Sequence, residues 1–199
     1  MINEKEWEEF KIFSKDCREK HIPVIRDDSA KLLCEYVQKY QPKKILEIGT
    51  AVGYSGTLML LSSQNSELVT IDVNKDMCNE AIKTFERYGI YDRCKVINAD
   101  AIDFLAQTDE VFDFIFIDGP KGQYIKYYQF LKKITKSKSV VFCDDVLYYG
   151  MIDDDSKVIH KKITIVRNLR EFLEVSQHDE DFTSELIRID DGILVLIRK

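Results

Sequence analysis

Four residues in the second half of the chain have the types and spacing to do chemistry. In FIDGPKGQY, residues 116–124, an apolar run ends on Asp118, and Lys121 follows three positions later. A carboxylate and an amine that close, at the open end of a strand, suit a metal ion, a phosphate or a proton to be moved, because crevices form outside the carboxyl ends of parallel strands. A second run, SVVFCD, ends on Asp144 with Asp145 beside it. The first half offers EIGTAVGYS, in which Gly49 and Gly53 let the backbone approach a ligand closely. Its spacing is GxxxG rather than the GxGxxG of dinucleotide sites, and Glu47 beside it would repel a pyrophosphate, so the loop fits a cationic ligand better. Asp72 closes the next apolar run, 25 residues after Glu47, where an acid accepts hydrogen bonds from both hydroxyls of a ribose. Asp100 follows the third run and is placed to meet an adenine. Each reads equally well alone as close packing or a helix cap; in register at three successive strand ends they point to a nucleoside site.

The elements that must position these residues alternate. Trp7, Phe10, Phe13 and Cys17 recur at helical spacing, and so do Leu32, Leu33, Tyr36, Val37 and Tyr40 before the break at Pro42. Short apolar runs at 44–48, 67–72, 95–98, 112–118 and 139–144 are separated by amphipathic stretches near 54–64, 75–88, 101–107 and 122–134. Strands alternating with helices predict an α/β fold with a mostly parallel sheet and helices on both faces. A further helix is predicted near 157–176. FTSELIRI and ILVLIRK then flank Asp190-Asp191-Gly192, a hairpin signal that adds an antiparallel pair and makes seven strands.

At 199 residues and 45% hydrophobic content the chain suits one domain, 1–199, with helices over about 1–41 leading into it. The first twenty residues carry charge throughout and no later run approaches a membrane span, so a cytoplasmic protein is expected. Cys17, Cys34, Cys78, Cys94 and Cys143 share no CxxC or Cys/His spacing and read as buried free thiols. His21, His160 and His178 show no mutual spacing and read as structural or surface residues. The net charge of −6 hides an asymmetry: residues 119–170 hold eleven Lys and Arg against five acids, a local +6. Such a span is either solvated surface or the footprint of a polyanion.

EIGTAVGYS, TIDVN, the Asp100 segment, FIDGPKGQY and CDDVLYYG stand in the order and spacing of the metal-dependent, catechol-type O-methyltransferases that use S-adenosylmethionine, and from about Pro23 onward the chain resembles their small bacterial members. The resemblance implies a Rossmann-like methyltransferase fold. It implies that Val24, Glu47, Gly49, Tyr54, Ser55, Asp72, Asp100, Ala101 and Asp118 line the cofactor pocket. It implies too that Asp118, Asp144 and Asp145 hold a divalent metal, Mg²⁺ above all, with Lys121 as the base.

Those residue types suit that chemistry. A hard divalent ion takes oxygen ligands and keeps open positions for substrate oxygens; a hydroxyl chelated there with a neighbouring oxygen loses its proton more easily. Lys121 would accept that proton if the metal's charge and burial lower its pKa. The competing readings are a helix cap for Asp118, a turn for Asp144-Asp145 and an ordinary surface lysine. The chain departs from the family at Asp145, usually Asn, which adds a negative charge and leaves the metal's identity open. It departs again in 25–31, which lack a glycine, and at Tyr149, where a basic residue is common.

The small bacterial relatives include enzymes that methylate 5-hydroxyuridine at the tRNA wobble position, whose C5 hydroxyl and C4 carbonyl match the two oxygens of a catechol. Lys157, Lys161, Lys162, Arg167 and Arg170, with no acid among residues 157–170, favour the tRNA anticodon stem-loop as partner. A small catechol or phenol is the alternative, and a noncatalytic tRNA- or nucleotide-binding module is opposed by the presence of Asp118, Lys121 and Asp144. The resemblance also implies a homodimer, with Trp7, Phe10 and Phe13 as a plausible contact.

Overall fold

A computed structural model describes residues 2–199. Two compact units divide the chain, one ending at Asp100 and the other running Ala101–Lys199. The first opens with α1 (Glu4–Glu19) and α2 (Asp27–Tyr40). Asn3 starts α1 through a capping box: its side chain accepts from the Glu6 N–H while the Glu6 carboxylate accepts from its own, which satisfies two donors a helix start leaves orphaned. Left-handed Gln41 and then Pro42 end α2. There follow β1 (Lys44–Ile48), α3 (Tyr54–Ser62), β2 (Glu67–Asp72), α4 (Lys75–Arg87) and β3 (Cys94–Asn98). β2 pairs in parallel with both β1 and β3, Ile71 opposite Ile48 and Asp72 opposite Asn98. The loops leaving β1 and β2 therefore emerge side by side.

Trp7, Phe10 and Phe13 lie on α1 as their spacing predicts. Phe10, buried, stacks on Tyr88 at 5.3 Å and meets Tyr54 edge-on at 5.9 Å; Phe13 meets the same Tyr54 at 5.4 Å. The hydrophobic effect places Phe10 in the chain's own core.

The second unit contains α5 (Ala101–Gln107), β4 (Phe112–Ile117), α6 (Tyr124–Ile134), β5 (Thr135–Cys143), α7 (Ile163–His178), β6 (Phe182–Ile187) and β7 (Ile193–Arg198). The seven strands are ordered β3-β2-β1-β4-β5-β7-β6; β7 is antiparallel to both β5 and β6. Two boundaries differ from expectation. β5 begins at Thr135 rather than 139, because a register shift between Phe112 and Phe114, with Lys138 left-handed, lets the irregular start stay paired with β4. α7 begins at Ile163 rather than 157. Residues 155–157 and 160–162 form 3-10 turns instead, the first held by Asp154, whose carboxylate accepts from the Ser156 N–H at 2.9 Å. Among the described residues no helix is long and apolar enough to cross a membrane.

The glycine inside α3 gives a test of packing against propensity. A Cβ on Gly56 would come within 2.8 Å of Leu68 Cδ2, 3.0 Å of Glu47 Oε2 and 3.1 Å of Phe85 Cζ, all on side chains at most 1% exposed. Alanine gains about 1 kcal/mol in helix propensity, but overpacking costs about 1–3 kcal/mol. Gly56→Ala is therefore expected to lower Tm in a thermal melt by roughly 2–4 °C per kcal/mol of net loss; a higher Tm would mean that propensity wins.

Candidate active site

Parallel pairing of β4 with β5 sets Ile117 opposite Cys143. The next residue on each strand is an acid, so Asp118 and Asp144 leave neighbouring strands at the same end, where the spacing is about 4.8 Å. The Asp144 N–H donates to Ile117 O at 3.0 Å, and Asp145 follows with φ 55°. One carboxylate oxygen from each of Asp118, Asp144 and Asp145 lies within 4.8 Å of the others. An octahedral ion with metal–oxygen bonds of 2.0–2.1 Å separates its ligands by about 2.9 Å when adjacent and about 4.2 Å when opposite. Three hard oxygen donors on that scale fit a divalent cation and leave room for further oxygens.

Lys121 stands over this cluster on the 3-10 turn Lys121–Gln123. Its ammonium donates to Asp118 Oδ1 at 2.6 Å and to the Tyr124 hydroxyl at 2.9 Å, and lies 3.7 Å from Asp145 Oδ2. Tyr124, fully buried, sets its hydroxyl 3.0 Å from Ile117 O and 2.9 Å from Asp144 O, fastening the ends of β4 and β5. Burial, then the neighbouring carboxylates, hold Asp144 well above the usual carboxylate range. Burial also raises Asp118, against the pull of Lys121. Burial drags the Lys121 ammonium down, but Asp118, Tyr124, Asp145 and Asp144 together outweigh it and leave the pKa well above the ordinary lysine value. The expected lowering needs a cation's charge among the carboxylates; on their own they stabilise the ammonium.

In the first unit the loop after β1 is left-handed at Gly49, Ala51 and Gly53 (φ 102°, 42° and 78°). Asp72 holds it: Oδ2 accepts from the Ala51 N–H at 3.0 Å and Oδ1 from the Asn74 N–H at 2.9 Å. Glu47 lies beneath, fully buried, one oxygen accepting from Ser55 Oγ at 2.5 Å and the other from Thr70 Oγ1 at 2.6 Å. Hydroxyls from α3 and β2 bond to both oxygens, so this fully buried carboxylate braces the loop from below. Tyr54, 2% exposed, is likewise turned into the core against Phe10 and Phe13. Ser55 and Ala101 are nearly buried; Val24, Gly49 and Asp72 are half-buried and Asp100 is exposed.

Of the basic span, Lys157 pairs with Asp154 at 4.0 Å and Arg170 with Asp155 at 2.7 Å, its guanidinium also donating to Met151 O and Ile152 O. Lys162 lies 5.6 Å over the Tyr148 ring. Asp154 and Asp155, close in sequence, thus take up part of the local positive charge. Exposed Lys161 and Arg167 have no ion-pair partner among the described residues. The five thiols are free, four of them buried, and burial pushes Cys34 up to about 12, which leaves it inert. Sequence reading missed Tyr124 and Thr70, whose roles depend on neighbours far along the chain, and Gln123, whose buried amide oxygen has no partner among the described residues.

The model for the O-methyltransferase family matches residues 8–199. The chain belongs to that family. It is the class I, S-adenosylmethionine-dependent family of the caffeoyl-CoA and catechol type. The chain is 24% identical over 192 residues to "Probable caffeoyl-CoA O-methyltransferase 1" of Dictyostelium discoideum, covering 94% of this chain and 82% of that one. To the catechol O-methyltransferase of Niastella koreensis it is 30% identical over 137 residues, 66% of this chain and 62% of that one. The Bacillus cereus O-methyltransferase, solved with SAH, superposes with a TM-score of 0.84 at 24% identity, covering 99% and 92% of the two chains. The Rossmann-like methyltransferase fold is thereby established.

The carboxylates of this O-methyltransferase oppose its stability. Because Asp144 titrates higher in the fold than in the unfolded chain, its contribution is fully present below about pH 3.9 and lost as pH rises through the raised value. Asp144→Asn is therefore expected to raise Tm at pH 7 in chelator, with the gain shrinking as pH falls toward about 4. A lower Tm at pH 7 would mean that the hydrogen bond from the Asp145 N–H, 2.9 Å, outweighs the repulsion.

Proposed function

We propose that this chain moves the methyl group of S-adenosylmethionine to a hydroxyl with a second oxygen on the adjacent atom, using a divalent cation held by Asp118, Asp144 and Asp145. The observation that carries the reading is the convergence of three carboxylate oxygens within 4.8 Å, an arrangement that repels itself without a cation. When bound, the cation supplies the positive charge that favours the ionised form of a chelated hydroxyl, and the cofactor supplies a methyl group on a good leaving group, the sulfonium.

The chain's own residues do the rest. Gly49 and the left-handed turn after it let backbone approach the cofactor, Asp72 has lone pairs left to accept from ribose hydroxyls, and exposed Asp100 meets the adenine amino group. Once the charge of the carboxylates is taken up, what held Lys121 protonated weakens and burial favours its neutral amine. Lys121 then accepts the hydroxyl proton. The carbon–sulfur bond breaks as the oxygen–carbon bond forms, leaving SAH and a methyl ether, so catalysis is positioning and charge neutralisation.

For the acceptor, the two curated relatives carry caffeoyl-CoA and catechol in their names, and much of the basic span is engaged within the chain, so a small catechol-type compound is favoured. A second reading, 5-hydroxyuridine at the tRNA wobble position, draws support from exposed Lys161 and Arg167.

Two experiments test these readings. Excess chelator is expected to abolish methylation of a small catechol while calorimetry shows SAH binding within twofold of the untreated chain; full turnover in chelator would reject the metal. Neutralising Lys161 and Arg167 together should leave catechol turnover unchanged. If both contact RNA phosphates, the log–log salt slope of tRNA binding falls by roughly 0.7–0.9 per contact; wild-type tRNA affinity and slope would remove the tRNA reading.

A further inference from the structure

The loop that begins with Asp144 and Asp145 runs through four left-handed residues: Asp145 (φ 55°), Tyr148 (φ 47°), Tyr149 (φ 59°) and Gly150 (φ 71°). Three of these are not glycine, and a non-glycine residue in that region costs of order 1 kcal/mol or more. Such a run persists only where its surroundings over-determine it. The Asp144 carboxylate accepts from the Asp145 N–H at 2.9 Å, which restrains only the first of the four. Something else must hold the loop.

The turn between β6 and β7 does so. The Asp191 carboxylate, 6% exposed, accepts from the Tyr149 N–H with both oxygens, at 2.6 and 2.7 Å. The Asp191 carbonyl accepts from the Leu147 N–H at 2.8 Å, and the Gly192 carbonyl from the Val146 N–H at 3.0 Å. Gly192 lies so close to Leu147 that a Cβ there would fall 2.3 Å from Leu147 Cγ. Three successive contacts, at 146, 147 and 149, thus tie the loop to a turn more than forty residues away.

We propose that Asp191 is a positioning residue for the metal centre. Through the Tyr149 N–H and its own carbonyl it fixes the loop that sets Asp145, and with it the spacing of Asp144 and Asp145. This rests on the metal reading given above. Residues that orient ligands without touching the ion typically cost 10–100-fold in metal affinity when lost. The coupling is reciprocal: if Asp191 favours the metal-binding arrangement of the loop, the bound metal must strengthen the Asp191–Tyr149 bond.

The test titrates Mn²⁺ as the probe, by electron paramagnetic resonance, into the full-length chain and into Asp191→Asn and Asp191→Ala, with SAH affinity and thermal melts measured alongside. Asp191→Asn keeps the shape but offers one neutral acceptor, so its Mn²⁺ dissociation constant is expected to rise about 10–100-fold with SAH affinity within twofold of wild type; Asp191→Ala should lose at least as much. Mn²⁺ affinity of a folded Asp191→Asn within threefold of wild type overturns the positioning role while leaving the metal reading intact. A wild-type chain that binds no Mn²⁺ overturns the metal reading and this inference with it. Should both variants fail to fold, hydrogen exchange of the wild-type Tyr149 amide decides: saturating Mg²⁺ is expected to slow it, and an unchanged rate overturns the proposal.

Discussion

Three carboxylates and one ammonium share the end of β4 and β5, and the second unit is arranged around that imbalance. Parallel register puts Asp118 and Asp144 side by side, and Asp145 adds a third charge. Lys121 offsets only one. The Tyr124 hydroxyl, buried under all of them, accepts from Lys121 and reaches the carbonyls at both strand ends, so the frame stays rigid where its charges push apart. A protein selected for stability alone would not keep this arrangement, because burying like charges costs more than one ion pair returns. On the function proposed above, catalysis gives the reason: burial and the neighbouring carboxylates raise Asp144, and a divalent cation would relieve that cost.

The same imbalance sets the state of Lys121. With only protein charges nearby it is a tightly held ammonium, a poor proton acceptor. In the proposed reaction, a base that becomes competent only when the carboxylates are neutralised would link proton transfer to metal occupancy, so that the hydroxyl loses its proton where the charge to stabilise its anion already stands. Burial of the lysine, 13% exposed at its side chain, is needed for this, since a solvated amine would not feel the change.

Much of this architecture was legible in the sequence because its signals are local. Apolar runs ending on Asp72, Asp118 and Asp144 marked strand ends, Asp190-Asp191-Gly192 marked the hairpin, and GxxxG after Glu47 marked a turn needing left-handed backbone. What stayed hidden depends on partners distant in the chain. The bracing role of Glu47 shows only once Thr70, 23 residues on, is seen to donate to one of its oxygens. The raised pKa of Lys121 follows from distances of 2.6 and 3.7 Å that no spacing rule supplies. The late start of α7 was missed because apolar periodicity does not register the Asp154 carboxylate, whose bond to the Ser156 N–H holds a 3-10 turn where the helix was expected to begin.

Each unit also solves one geometric problem in the same way. A loop leaving a parallel strand must turn sharply to present its groups, and both loops do so through left-handed residues that are not all glycine: Ala51 after β1, Tyr148 and Tyr149 after β5. In each, a carboxylate reaching in from another part of the same unit accepts the N–H of a strained residue: Asp72 at the end of β2 takes Ala51, and Asp191 in the β6–β7 turn takes Tyr149. A charge-assisted bond to a backbone amide, worth about 1.5–3 kcal/mol, is of the right size to offset one or two left-handed residues. Glycine at these positions would remove the strain but also the constraint, leaving a loop free to take other shapes. Strain balanced by a carboxylate gives a loop with one shape, which is what holding a cofactor or a set of ligands within a fraction of an ångström requires.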